Sequence, residues 1–160
     1  MRFVADAMLA RLARWLRMMG YDTLCAADMP VDDDDLLNIA LDESRVLLTR
    51  DRGLYERAKA CDLPAVYVEA KDIVDQLAQL VRELKIELRE APSTMICPSC
   101  NGRLVDVEKR DVAGLVPGTV MDTHERFWSC QSCGQVYWEG NHWKKIRETV
   151  RKVKEQLKQG

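Results

Sequence analysis

Two sets of residues in this chain have the types and spacing to do chemistry. The first is cysteine: Cys97-Pro98-Ser99-Cys100 and Cys130-Gln131-Ser132-Cys133 are two CxxC knuckles with 29 residues between them. Two such pairs can close a tetrahedral all-sulfur shell on one Zn²⁺, and a closed shell leaves no open position for catalysis. Cys97, Cys100, Cys130 and Cys133 are therefore expected to hold structural zinc, with Cys25 and Cys61 left over as small buried residues. The interval exceeds the roughly 15 to 20 residues of the commonest pattern but suffices for the strands and loop of a zinc ribbon. His124 and His142 are not needed as ligands.

The second set is aspartate. Asp6, Asp51 and the run Asp32-Asp33-Asp34-Asp35 each stand where an apolar stretch gives way to a helical pattern. In a parallel α/β sheet the carboxyl ends of strands are where ligands bind. Carboxylates crowded within about 5 Å repel one another unless a cation neutralises them, and hard oxygen ligands favour Mg²⁺ or Mn²⁺. Such an ion supports phosphodiester hydrolysis by lowering the pKa of water and neutralising charge on phosphate. Asp6, Asp33 and Asp51 are the expected ligands and catalytic residues, with Asp34 as a substitute, because consecutive helical residues diverge by about 100°. Each of these residues is equally an N-cap by type and position.

Arg11, Arg14 and Arg17 recur every third residue just beyond Asp6, and Arg50 and Arg52 flank Asp51. Arg14, Arg17 and Arg50 are candidates to grip phosphates, since the guanidinium fork matches phosphate oxygens; spacing of three also arises from avoiding an apolar stripe. The net charge of −2 conceals an asymmetry. From Lys144 onward seven cations face only Glu148 and Glu155, so this tail carries +5 and the preceding residues −7. A polyanion such as RNA suits that tail, as does a plain solvated helix face. Trp128, Tyr137, Trp138 and Trp143 either stack on unpaired bases or pack around the metal of a module with little core.

Ordinary α/β elements must position these groups. Strands are expected at residues 2–5, 21–26, 46–49 and 65–69, and helices at 8–19, 33–43, 52–61 and 73–84 from their apolar periodicity. The order βαβαβαβα predicts a mainly parallel sheet covered on both faces. Residues 86–90 read as a linking strand and Ala91-Pro92-Ser93 as the domain boundary. The division is thus 1–90 for a nuclease-like domain and 91–160 for a zinc ribbon with a basic C-terminal helix, whose seam is Ile146, Val150, Val153 and Leu157. A ribbon this small cannot build a sufficient core unaided, so metal must supplement it. No apolar run approaches the length of a membrane span and no leader-like segment opens the chain, so a cytoplasmic protein with reduced thiols is expected.

Several of these segments also carry a resemblance. Phe3-Val4-Ala5-Asp6-Ala7-Met8-Leu9, Leu12-Ala13-Arg14-Trp15-Leu16-Arg17-Met18-Met19-Gly20-Tyr21-Asp22 and Leu47-Leu48-Thr49-Arg50-Asp51-Arg52-Gly53-Leu54 resemble the Mut-seven C-terminal RNase-domain family, a PIN-like group. Cys97-Pro98-Ser99-Cys100-Asn101-Gly102, Phe127-Trp128-Ser129-Cys130 and Cys133-Gly134-Gln135-Val136-Tyr137-Trp138-Glu139-Gly140-Asn141-His142-Trp143 are similar to that family's zinc-ribbon extension. The resemblance implies a PIN-like three-layer α/β/α domain that cleaves RNA with acidic residues and Mg²⁺ or Mn²⁺, followed by the ribbon. It matches Asp6, Asp33 and Asp51 to the acidic sites, with Asp34 or Asp72 for a fourth. The competing expectation is a non-catalytic RNA-binding or protein-adaptor module in which these aspartates only cap helices.

Overall fold

The computed structural model describes all 160 residues, apart from the side chains of Asn141 and His142. Four short strands, β1 (Phe3–Ala5), β2 (Thr23–Cys25), β3 (Val46–Thr49) and β4 (Ala65–Tyr67), form one parallel sheet in the order β2-β1-β3-β4. Phe3 stands opposite Thr23 on one side and Val46 on the other, and Leu48 stands opposite Val66. Side chains alternate across the sheet as a period of two requires. Phe3, Ala5, Leu48 and Val66 enter one core cluster, while Val4 and Leu47 enter the other.

The chain runs from β1 through α1 (Ala10–Met18) to the edge strand β2, then back past β1 through α2 (Asp33–Asp42) to β3. It continues through α3 (Arg52–Ala60) to β4 and ends this domain in α4 (Ile73–Leu84). Right-handed crossovers that change direction must change face. Accordingly α1 and α4 pack with Phe3 and Leu48, and α2 and α3 pack with Val4 and Leu47. The result is the expected three-layer α/β/α domain.

Local differences from the sequence reading have local causes. The helix expected from residue 8 begins as a 3₁₀ turn, Ala7–Leu9, because the Asp6 side chain accepts from the Met8 N–H. Residues 86–90 form no strand. The Tyr21 hydroxyl donates to the Glu87 carbonyl and accepts from the Glu87 N–H, which removes both groups from any ladder.

The C-terminal half contains β5 (Leu104–Val107), β6 (Phe127–Cys130) and β7 (Val136–Trp138), an antiparallel sheet in that order. Between β5 and β6 lies more than a loop. A 3₁₀ turn, Lys109–Val112, and the short α5 (Gly118–Thr123) bring Val112 and Val116 over Phe127 and Val136. The last helix, α6 (Asn141–Gln159), was assigned by sequence to the ribbon, but its seam belongs elsewhere. Ile146, Val150 and Val153 are buried in the same cluster as Ile73, Leu77 and Leu80 of α4. A narrow apolar stripe finds its match on a helix of the first domain, while Trp143 near the start of α6 stacks on Trp128 of the ribbon. Among the described residues no helix is long and apolar enough to cross a membrane.

Candidate functional site

All four parallel strands end at one edge of the sheet, and the loops leaving them carry the aspartates. The strand order reverses between β1 and β3, which makes the crevice beyond their carboxyl ends the topological switch point. Asp6 follows β1 directly, and Asp51 stands two residues beyond the end of β3. The Asp6 N–H donates to the Leu48 carbonyl at 3.0 Å, continuing the pairing into the site.

Asp6 is buried, 7 % exposed, and its carboxylate is heavily engaged. Oδ1 accepts from the Met8 N–H at 2.9 Å; Oδ2 accepts from the Arg50 N–H at 2.8 Å and from the Thr49 hydroxyl. A carboxylate offers about four lone-pair positions, so three donors leave one, on Oδ1. Thr49 also accepts the Asp51 N–H at 2.9 Å, so a single hydroxyl links the two aspartates. Asp51 Oδ1 caps α3 by accepting from the Leu54 N–H at 2.9 Å. Its Oδ2 takes part in no hydrogen bond among the described residues, and the residue is exposed.

The acidic run behaves differently. Asp32 and Asp35 form a reciprocal capping box at the start of α2. Asp34 is ion-paired with Arg57 of α3, and Asp33 lies exposed beside it in a shallow depression lined by Asp32, Asp34 and Arg57. The three carboxylates expected to crowd together do not gather into one tight group. Among the described residues the four thiols alone form a cluster of three or more ligating groups within 4.8 Å. Asp33 and Asp34 lie on the first turn of α2, and the α2–α3 layer supplies Arg57 as their counter-charge.

The arginines also separate. Arg14 is exposed on α1 and reaches Ser99 Oγ at 3.4 Å. Arg50 lies at the carboxyl edge, where its guanidinium approaches the Glu69 carbonyl at 3.4 Å. Arg17 is placed where it cannot meet a phosphate. It is 3 % exposed, and its guanidinium donates to the Thr23 carbonyl at 2.9 Å, the Pro98 carbonyl at 3.0 Å and Asp28 Oδ2 at 2.8 Å. Arg17 is a bolt between α1, the edge strand and the first cysteine knuckle.

The four sulfurs fit a metal ion such as zinc. A tetrahedron with Zn–S bonds of about 2.3 Å has sulfurs roughly 3.8 Å apart. Cys97 and Cys133 stand at 3.8 Å, and Cys100 and Cys130 at 3.5 Å. Backbone N–H groups aim at the knuckle sulfurs: Gly102 to Cys100 at 3.4 Å, Ser132 and Cys133 to Cys130 at 3.4 and 3.5 Å. Burial opposes ionisation of Cys130, yet these backbone donors and the neighbouring thiols bring it down to about 7. Burial and the adjoining thiols push Cys100 up to about 12 despite the Gly102 N–H. The Tyr137 hydroxyl lies 3.0 Å from Cys97 Sγ and donates to Ser99 Oγ at 3.1 Å. The His142 side chain lies outside the described residues.

Three contributors escaped the sequence reading. Thr49 looked like the last residue of a buried strand, and a hydroxyl ending an apolar run beside Asp51 was its only signal. Asn101 and Asp22 join the two halves: Asn101 Oδ1 accepts the Thr23 N–H at 2.9 Å, and its amide donates to Asp22 Oδ1 at 2.7 Å. Asn101 has φ 68°, a left-handed conformation that asparagine tolerates and that follows a CxxC turn.

A parallel α/β domain with buried acid at its switch point, continuous with a four-thiol ribbon, is the class of protein these features define. The chain belongs to the Mut7-C RNAse domain family, whose profile matches residues 1–150. No curated protein and no solved structure matches the chain.

Proposed function

We propose that the chain is a metal-dependent endoribonuclease that hydrolyses RNA phosphodiester bonds at the carboxyl edge of its parallel sheet. The observation that carries this reading is the Asp6–Thr49–Asp51 linkage at the switch point of a Mut7-C RNAse domain. Mg²⁺ keeps several waters and takes one or two carboxylates. The remaining lone pair of Asp6 and the unengaged Oδ2 of Asp51 meet that demand, with Asp33 or Asp34 acting from the first turn of α2. Bound there, Mg²⁺ or Mn²⁺ would supply charge neutralisation at phosphate and a more acidic water.

The chain's own residues do the rest. Thr49 fixes both aspartates, Asp51 presents a free oxygen to the crevice, and Arg50 and Arg14 offer cations to the flanking phosphates. Cys97, Cys100, Cys130 and Cys133 hold structural zinc, which staples the ribbon so that RNA or a protein partner meets an ordered surface. We assign residues 1–90 to the nuclease domain and residues 91–160 to the ribbon and its basic helix, the helix doubling as a brace on α4.

The test is cleavage of labelled single- and double-stranded RNA in Mn²⁺ against chelator, beside the Asp51→Asn variant. Cleavage that requires the metal and disappears in the variant is expected. A second reading, an RNA-binding or adaptor module without catalysis, draws on the capping roles of Asp6, Asp32 and Asp51. Salt-sensitive RNA binding with no metal-stimulated cleavage would select it.

A further inference from the structure

α1 and the ribbon do not close on each other completely. Between them, and bounded by the start of α6, lies an open cleft of about 500 Å³. Its walls are Arg11 and Arg14 from α1, Tyr137 and Trp138 from β7, and Lys145 from α6. Among the described residues no carboxylate lines it. Among the described residues Arg11, Arg14 and Lys145 enter no ion pair, whereas nine other cation–carboxylate contacts are formed elsewhere. Three free cations on a surface whose net charge is negative are an electrostatic invitation to an anion.

The rings give the anion a second property. Tyr137 and Trp138 are half-buried, so each has a face or edge left open, and Trp138 also borders two further cavities. Tyr137 is held rigidly by its hydroxyl bonds to Cys97 Sγ and Ser99. Rigid aromatic faces beside cations are the arrangement that binds single-stranded nucleic acid, in which bases stack and the backbone follows the charges. A duplex cannot turn its bases out toward such a wall without unstacking. The location agrees. α1 begins four residues after Asp6, so Arg11 lies at the end of the cleft toward the carboxyl edge, and a helix of nine residues extends about 13 Å away from it.

We propose that this cleft is a docking groove for single-stranded RNA, with at least one base stacked on Trp138 or Tyr137 and the backbone held by Arg11, Arg14 and Lys145. It rests on the nuclease reading for its substrate, but the groove itself is a binding site. The zinc ribbon then serves as one wall of the substrate path.

The experiment is fluorescence anisotropy of 5′-labelled single-stranded RNA and of the matching duplex on the full chain, with no added divalent cation. Arg14→Glu combined with Lys145→Glu is compared with a charge-matched control at exposed cations outside the cleft and the basic tail, Lys59→Glu combined with Arg82→Glu, and zinc content verifies folding. The groove variant should bind at least about tenfold more weakly than the control. In the Arg11, Arg14, Lys145 triple alanine variant the salt slope should flatten by about 2, at roughly 0.7 per phosphate contact on single strands. Ultraviolet cross-linking should place an RNA adduct on Trp138 or Tyr137. Equal loss in groove and control variants, tighter binding of duplex, or adducts confined to other rings would each overturn the groove. Asp51→Asn should bind like the wild type; loss of its cleavage with intact binding supports both readings. A wild type that binds in the groove but never cleaves ends the nuclease reading alone.

Discussion

At the residue scale, the two switch-point aspartates are not equivalent experimental handles. Asp51 is exposed and uses one oxygen as an N-cap, a task asparagine performs about as well. Asp51→Asn should therefore keep its thermal midpoint within a few degrees while RNA cleavage falls at least about a hundredfold; unchanged cleavage would remove Asp51 from the site. Asp6 is buried among three donors. An amide there must turn its NH₂ toward an N–H or a hydroxyl, and leaving a buried donor unmatched costs about 1–3 kcal/mol. Asp6→Asn should lose activity and stability together, which calorimetry alongside the cleavage assay would show. Arg17 makes the complementary point. Its two buried bonds and its ion pair with Asp28 mean that Arg17→Met should lower stability by roughly 2–4 kcal/mol in urea unfolding without a specific effect on RNA affinity. Equal stability with weakened RNA binding would return Arg17 to the phosphate-gripping role expected from its spacing.

At the element scale, the parallel strands were legible because buried parallel strands are short continuous apolar runs, and Val46-Leu47-Leu48-Thr49 is one. The helices of the parallel domain and α6 were legible from periodicity and the knuckles from spacing alone, whereas the six-residue α5 was too short to show a period. The interior fate of Arg17 was not, because two of its three partners are the carbonyls of Thr23 and Pro98, and backbone oxygens leave no mark in a sequence. The acidic run was legible as a cap but not as the partner of Arg57, which lies 23 positions away from Asp34 on another helix. The knuckles also press together more closely than spacing reveals. A Cβ on Gly102 would lie 2.7 Å from Ser132 Oγ and 2.9 Å from Cys130 Sγ. Overpacking of this kind costs about 1–3 kcal/mol, and here it acts on the thiols that would hold the ion. Gly102→Ala should accordingly weaken zinc retention by roughly five- to a hundredfold against a competing chelator, with the far-ultraviolet signal of α1–α4 preserved. Retention equal to wild type would show that the second knuckle yields freely.

At the scale of the whole molecule, the halves are joined by packing and by charge, and each mode predicts its own failure. Burying Ile146, Val150 and Val153 against α4 is worth roughly 6 kcal/mol at about 2 kcal/mol per side chain, comparable to the entire stability of a small domain. A fragment ending at residue 90 should therefore be poorly folded despite containing the complete parallel sheet. The polar joint is Asp22, which receives Arg45 at 2.7 Å and Asn101 at 2.7 Å. Partial burial would raise its pKa, but the hydrogen bonds from Arg45 and Asn101 and the Arg45 charge outweigh it and leave the carboxyl below its ordinary value. For a depressed carboxyl the sign follows from proton binding: the unfolded chain takes up the proton first as pH falls. The contribution of Asp22 is thus fully present above the ordinary carboxyl value of 3.8 and disappears as pH drops through the lower folded value. Asp22→Asn should be less stable than wild type at pH 7 and lose less stability between pH 4 and pH 2, so that two urea-midpoint curves converge in acid. Parallel curves over that range would mean that Asp22 is bystander to the joint, and that Asn101 and the α4–α6 packing hold the ribbon against the sheet without it.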